Sequence, residues 1–332
     1  MEEISLFQDL DRLAVTAERG ERTAVVGRIV FGMSFFLRDP HTPAARARVV
    51  AAAEHLLSVV PYHHYLWWLL HGRGRPQSLR RGEPPAPGEI LRRSEEADLP
   101  FGLKLWDSEP HDATAPRHYL EFFCMGGSEE DRYIAPMGSL QLYVPLPWVE
   151  SRVPGTVRDL FVRLADTLQP FHGTGGLALS SPVTREWQQS AGPNLYAVLH
   201  RFPGLETGYA WEMAGALEER MGSVNWLTAV HHDLLALVGG AGALRGALDP
   251  DTFPVHDYGG GLVIQAGPAP QLGDREAGVG IPFYDTVAGL LKPARVEFEG
   301  YVVNHAVRPP GSEFDDDVMA RGQTEYLARF DP

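Results

Sequence analysis

The chain has one cysteine in 332 residues, Cys124. No disulfide can form within it, so the fold does not require an oxidising compartment. Cys124 lies inside the strand-like run 119–125, which marks it as a buried thiol and not as a nucleophile. Long apolar runs are lacking too. No stretch approaches the roughly 20 consecutive apolar residues that span a bilayer. The acidic start, MEEISLFQDLDRL, has no basic segment ahead of an apolar one. A signal peptide is therefore not expected, and the chain reads as a cytoplasmic protein without a membrane partner. Positive charge is in short supply: 29 Lys and Arg stand against 43 Asp and Glu, a net charge of −14. Direct binding of nucleic acid, which uses a basic footprint, is disfavoured. A basic protein partner suits the same surplus, because opposite charge speeds encounter and selects the partner.

Compact signatures of catalysis are missing as well. There is no Walker loop, no GxSxG elbow, no HExxH and no cysteine cluster. Glycines 259–261 precede a strand-like run, whereas a dinucleotide-binding loop follows one. The acidic run of Glu313, Asp315, Asp316 and Asp317 lacks the spacing and the glycine of a calcium loop. It reads as a solvated turn or as a contact surface for a basic partner. What remains is His231-His232-Asp233. An imidazole beside a carboxylate can serve as a general base, and histidine is a common metal ligand. Adjacent histidines on a helix point in different directions, however, and no i, i+4 pair is present. His231 falls on an apolar face and reads as structural. No cofactor or metal is expected. A hydrolase using His231, His232 or Asp274 is the alternative to a binding function.

Along the chain, Val25, Ile29, Phe31, Met33, Phe35 and Leu37 alternate and predict a strand over 23–37. Thr42 and Pro43 predict a helix start, with Val49, Ala53, Leu56, Leu57 and Val60 on one face and Pro61 as its stop. The aromatic stretch 62–70 reads as a packing segment. Residues 72–100, rich in Arg, Pro and Gly, read as a long surface loop. Phe101–Trp106, 119–125 and 140–144 have connections too short for helical crossovers and predict an antiparallel meander. Thr156 predicts the cap of a helix carrying Val157, Leu160, Phe161, Leu164 and Leu168. Residues 184–220 read as helix in pieces.

Residues 222–274 form the unit around which the rest is organised. Ser223 reads as an N-cap, and Leu227, Val230, His231, Leu234, Leu235 and Val238 follow at helical spacing. Gly239 and Gly240 stop that helix, and Leu262-Val263-Ile264 reads as a buried strand. Gly175-Gly176-Leu177 repeats the pattern of Gly260-Gly261-Leu262, a weak internal two-fold repeat. Pro282 opens a helix that Pro293 stops, and Val296, Phe298, Gly300 and Val302 alternate as a strand. A short terminal helix carries Tyr326, Leu327 and Phe330. Hairpins mixed with crossovers predict an α/β or α+β fold, with a mixed, partly antiparallel sheet and helices packed on it. One domain is expected over 1–332, with a core at about 22–305, a surface loop at 72–100 and a polar C-terminal extension at 306–332.

Asn225-Trp226-Leu227, the Gly239-Gly240 stop, the Gly-Gly-Leu-Val-Ile-Gln-Ala-Gly-Pro run at 260–268, and Leu272-Gly273-Asp274 resemble the type VI immunity protein family. Tyr284 and Leu290-Leu291-Lys292-Pro293 extend the likeness, which is clearest over 222–298. The resemblance implies a bacterial antidote that binds and neutralises a cognate toxin effector, and it brings no catalytic residues with it. A nuclease is the toxin activity that best matches an acidic antidote.

Overall fold

The computed structural model describes residues 10, 13–19, 22–71, 73–96, 100–110, 113–126, 137–153, 155–207, 217, 219–296, 308–310 and 316–331. Among the described residues, twelve strands form one sheet. They are β1 (Ala14–Arg19), β2 (Arg22–Arg38), β3 (Trp67–Leu70), β4 (Arg73–Ser78), β5 (Phe101–Trp106) and β6 (Tyr119–Cys124), then β7 (Met137–Val144), β8 (His172–Ser180), β9 (Glu206–Thr207), β10 (Leu227–His231), β11 (Val255–Tyr258) and β12 (Gly261–Gln265). The order across the sheet is β11-β12-β10-β8-β2-β7-β6-β5-β3-β4, with β1 paired to β2 and β9 to β8. Every pairing is antiparallel except β8 with β9. The mixed α/β class and the meander β5-β6-β7 are as the sequence predicts.

The helices are α1 (Pro43–Val59), α2 (Pro87–Glu96), α3 (Leu146–Glu150), α4 (Thr156–Leu168), α5 (Arg185–Arg201), α6 (His232–Ala236), α7 (Gly240–Ala247), α8 (Pro282–Leu290) and α9 (Asp316–Leu327). α1 begins as expected: the Thr42 side chain accepts from the Ala45 amide, and Pro43 occupies the first turn, where its missing N–H leaves no bond unmade. Val49, Ala53 and Leu56 turn that helix onto the sheet and are fully buried. α4 presents Val157, Leu160, Phe161, Leu164 and Leu168, with Phe161 4.7 Å from Phe35 of β2. Thr156 is its first helical residue, and Gly155, at φ 90, takes the cap position. α1, α2 and α4 cover one face of the sheet, over Met33, Phe35, Leu103, Leu105, Leu120, Phe122, Leu140 and Leu142.

Three further local expectations fail. Leu227–His231 is a strand, not a helix, and Ser223 caps nothing. β10 runs between β8 and β12 with both faces covered, so Leu227, Thr228, Ala229 and Val230 are all buried without alternation. The one-turn α6 follows directly and places Leu234 and Leu235 at spacings that mimic a longer helix. Gly239 and Gly240, at φ 89 and 90, therefore link α6 to α7 instead of ending a helix that starts at 223. The stretch 72–100 is not a structureless loop, since it holds β4, a 3-10 turn and α2. Pro76 is tolerated because β4 is an edge strand, and Pro87 opens α2. The strand expected at 296–302 lies outside the described residues beyond Val296.

The two Gly-Gly-Leu runs flank the same strand. Leu262 pairs with Val230, whereas the β8 run meets the opposite end of β10, where Gly175 pairs with Leu227. Gly176 has to lack a side chain, because a Cβ there would stand 2.0 Å from Asn225 Oδ1. That approach lets Asn225 donate from Nδ2 to Leu177 O at 3.2 Å and accept the Trp226 amide at 2.8 Å, which locks the chain as it enters β10.

Candidate partner-binding surface

Two features stand out from the packed core. The first is a row of polar side chains across six adjacent strands. The register puts Lys104 opposite Glu121, Glu121 opposite Gln141, Gln141 opposite Ser34, Ser34 opposite Thr174, and Thr174 opposite Thr228. Directly paired residues project to the same side, so the row lies on the face away from α1, α2 and α4. All six are buried. At its charged end, Glu121 takes His71 Nε2 at 2.7 Å and Lys104 Nζ at 3.2 Å on Oε1, and the Tyr119 hydroxyl at 2.6 Å on Oε2. Burial alone would raise the Glu121 carboxyl. Lys104, His71 and Tyr119 outweigh it and hold the group down to about 2. Gln141 donates to Ser34 Oγ at 3.1 Å and to the Tyr143 hydroxyl at 2.9 Å. At the other end, Ser34, Phe36, His172 and Thr174 line a small pocket closed by Tyr326 and Leu327 of α9. Arg329 fastens that C-terminal segment: it donates to Pro203 O, to Tyr326 O and to Ser223 Oγ, the last at 2.6 Å.

The second feature is an open cleft between residues 149–158 and the loop at 265–270. Phe31 and Trp226 line it, with their rings edge to face at 6.1 Å. The Trp226 indole N–H donates to Gly267 O at 3.1 Å, and the Gln265 amide donates to the same oxygen at 2.8 Å. Trp226, Gln265 and Pro268, all within the motifs that carry the family resemblance, thus meet in one place. On the opposite wall, Arg152 lies over the Trp148 ring at 4.3 Å, and Arg158 donates to Asp159 at 2.8 Å. Val153 is 76% exposed beside them.

Of the residues singled out as catalytic alternatives, His231 and Asp274 have structural tasks. His231 Nδ1 accepts the Asp233 amide at 3.2 Å and so caps α6, and Asp233 accepts from Arg38 at 2.6 Å. His232 is exposed. Asp274 accepts from Arg201 Nη2 at 2.7 Å and from the amides of Glu276 and Ala277, closing a turn. That guanidinium, first among the causes, lowers the Asp274 carboxyl. Cys124 is buried, and burial raises its thiol to about 12, as an inert cysteine requires. Among the described residues, no group of three or more His, Cys, Asp and Glu is arranged to hold a metal ion, and no helix is long and apolar enough to cross a membrane.

Of the acidic run, Glu313 and Asp315 lie outside the described residues. Asp316 is the first residue of α9, and Asp317 follows it, exposed. Negative charge in the first turn complements the N-terminal end of the helix dipole, so Asp317 has a local reason to be acidic as well as any external one. Neither the polar row nor the cleft is apparent from the sequence as a site. A lysine and a glutamate inside the otherwise apolar runs FGLKLW and YLEFFC were the available signal.

No curated protein matches the chain significantly. Among solved structures, the chain is similar to the Pseudomonas aeruginosa T6SS protein PA0821, with 23% identity, 97% of this chain and 88% of that chain covered, and a TM-score of 0.77. At that identity the likeness is one of fold. The sequence model of the family TsiV, type VI immunity for VRR-NUC, matches residues 53–330, most of the chain, and the protein belongs to that family.

Proposed function

We propose that this immunity protein acts inside the bacterial cell by binding a nuclease toxin of the VRR-NUC type and covering its active site. The family match over residues 53–330 carries the reading. The net charge of −14 supports it, because an enzyme that handles nucleic acid presents a basic surface to which an acidic antidote is complementary. His231 and Asp274 are engaged in capping and turn closure, which fits a binding protein better than a hydrolase. The toxin is expected to be encoded beside this chain's gene. Co-expression of the two products should yield a complex that survives size-exclusion chromatography and should protect cells that the toxin alone kills. Cells that die despite full expression of this protein would remove the reading.

Within that complex, Glu313, Asp315, Asp316 and Asp317 are proposed as rim contacts to the basic surface of the toxin. Charges at a rim act mainly on the association rate and its salt dependence. Replacing all four with Asn or Gln should slow association several-fold at low salt and flatten its dependence on salt, with dissociation little changed. Stopped-flow association at two salt concentrations checks this, and equal on-rates for the two proteins would move the contact elsewhere.

A further inference from the structure

We propose that the cleft between residues 149–158 and 265–270 receives an arginine or lysine side chain of the toxin. This rests on the immunity reading and names the part of this surface that the partner enters.

Two acceptor atoms carry the inference. Gln265 ends β12 and is 7% exposed; its amide nitrogen is used by Gly267, but its buried Oε1 accepts no hydrogen bond. Glu150 ends α3, and its Oε1 is likewise shielded from solvent and accepts none. Both residues line the same cleft. A buried oxygen without a donor is costly, and proteins seldom leave two beside one cavity. Both atoms ask for N–H groups, and one is a carboxylate oxygen, so the missing donor is best cationic. The walls suit the rest of such a side chain. Val157, Trp226, Pro268 and Pro270 offer aromatic and apolar surface to a methylene stem and to a flat guanidinium. The cations already present are engaged elsewhere, Arg152 over Trp148 and Arg158 with Asp159. Val153, 76% exposed at the rim, supplies an apolar border that would keep water from the buried contact.

The test uses the toxin encoded beside this chain's gene, in catalytically inactivated form, and full-length variants of this protein. Glu150→Gln removes charge with little change of shape and should weaken binding about tenfold. Glu150→Lys places a cation of its own in the cleft and should weaken binding a hundredfold or more. Asp251→Lys makes the same charge reversal at an exposed position that does not line the cleft and should change affinity less than threefold. Melting temperatures of all three are measured alongside, and Glu150→Gln keeps the test informative if the lysine variant folds poorly. Wild-type binding with Glu150→Gln and Glu150→Lys unaltered overturns the cleft and leaves the immunity reading standing. Equal losses in Glu150→Lys and Asp251→Lys also overturn it, since the effect would then be one of net charge. A wild-type protein that does not bind the toxin overturns the immunity reading and the cleft together.

Discussion

Glu121→Ala is expected to destabilise the protein by about 3–5 kcal/mol, because it strands the Lys104 ammonium inside the sheet without its counter-charge. Glu121 is 1% exposed and Lys104 9%, so water cannot replace the lost partner. His71 and Tyr119 lose their acceptor in the same step. Replacing both charges with apolar groups, Lys104→Met with Glu121→Leu, should recover most of that loss, since buried ion pairs often exchange for hydrophobic pairs at little net cost. Urea denaturation of the single and double variants measures the coupling. A single variant within about 1 kcal/mol of wild type would show that the network contributes little.

The same residue gives a pH signature. Its folded-state value of about 2 lies below the ordinary 4.5. A depressed carboxylate contributes stability that is fully present above pH 4.5 and is lost as pH falls towards 2. His172 acts in a different window. Burial, partly opposed by its bond to Ala229 O, lowers it from 6.5 to about 4. The unfolded chain takes up that proton first, so stability also falls as pH drops from 6.5 to 4. The Lys104→Met, Glu121→Leu protein should lose the share of the lower-window pH dependence that Glu121 contributes and keep the upper one.

Trp226→Ala is the second large effect, a loss of about 3–5 kcal/mol as expected for a buried aromatic truncated to a methyl group. The ring is 9% exposed, packs on Phe31, and holds the turn at Gly267 through its indole N–H. Its removal should also loosen the 265–270 loop, so toxin affinity should fall together with the melting temperature. Trp226→Phe, which keeps much of the volume but not the N–H, should fall between. An unchanged melting temperature with affinity lost would place the ring's role at the interface alone.

Much of the architecture is legible in the chain, and the exceptions share a cause. α1 is marked by Thr42-Pro43 and Pro61, α8 by Pro282 and Pro293, and the meander by alternating runs with short connections. Each of those signals is local. β10 was not legible because a strand buried on both faces has no alternation, and its residues continue into α6 at spacings a helix would also produce. β4 and α2 were hidden in a stretch whose prolines and arginines read as loop, although an edge strand accommodates both. The polar row was not legible because Lys104, Glu121, Gln141, Ser34, Thr174 and Thr228 are brought together only by strand register, which sequence spacing does not encode. The cleft likewise needs Phe31, Glu150, Trp226 and Gln265 from four distant segments. The likeness to a family over 222–298 takes in residues that build the entrance to β10 and one wall of the cleft.

The proposed inhibition of a nuclease toxin is tested most directly by titrating the purified toxin, assayed on DNA, with this protein. Activity is expected to fall linearly and to reach background at one equivalent, at toxin concentrations well above the dissociation constant. Cleavage that continues undiminished in the presence of excess, folded protein would contradict it.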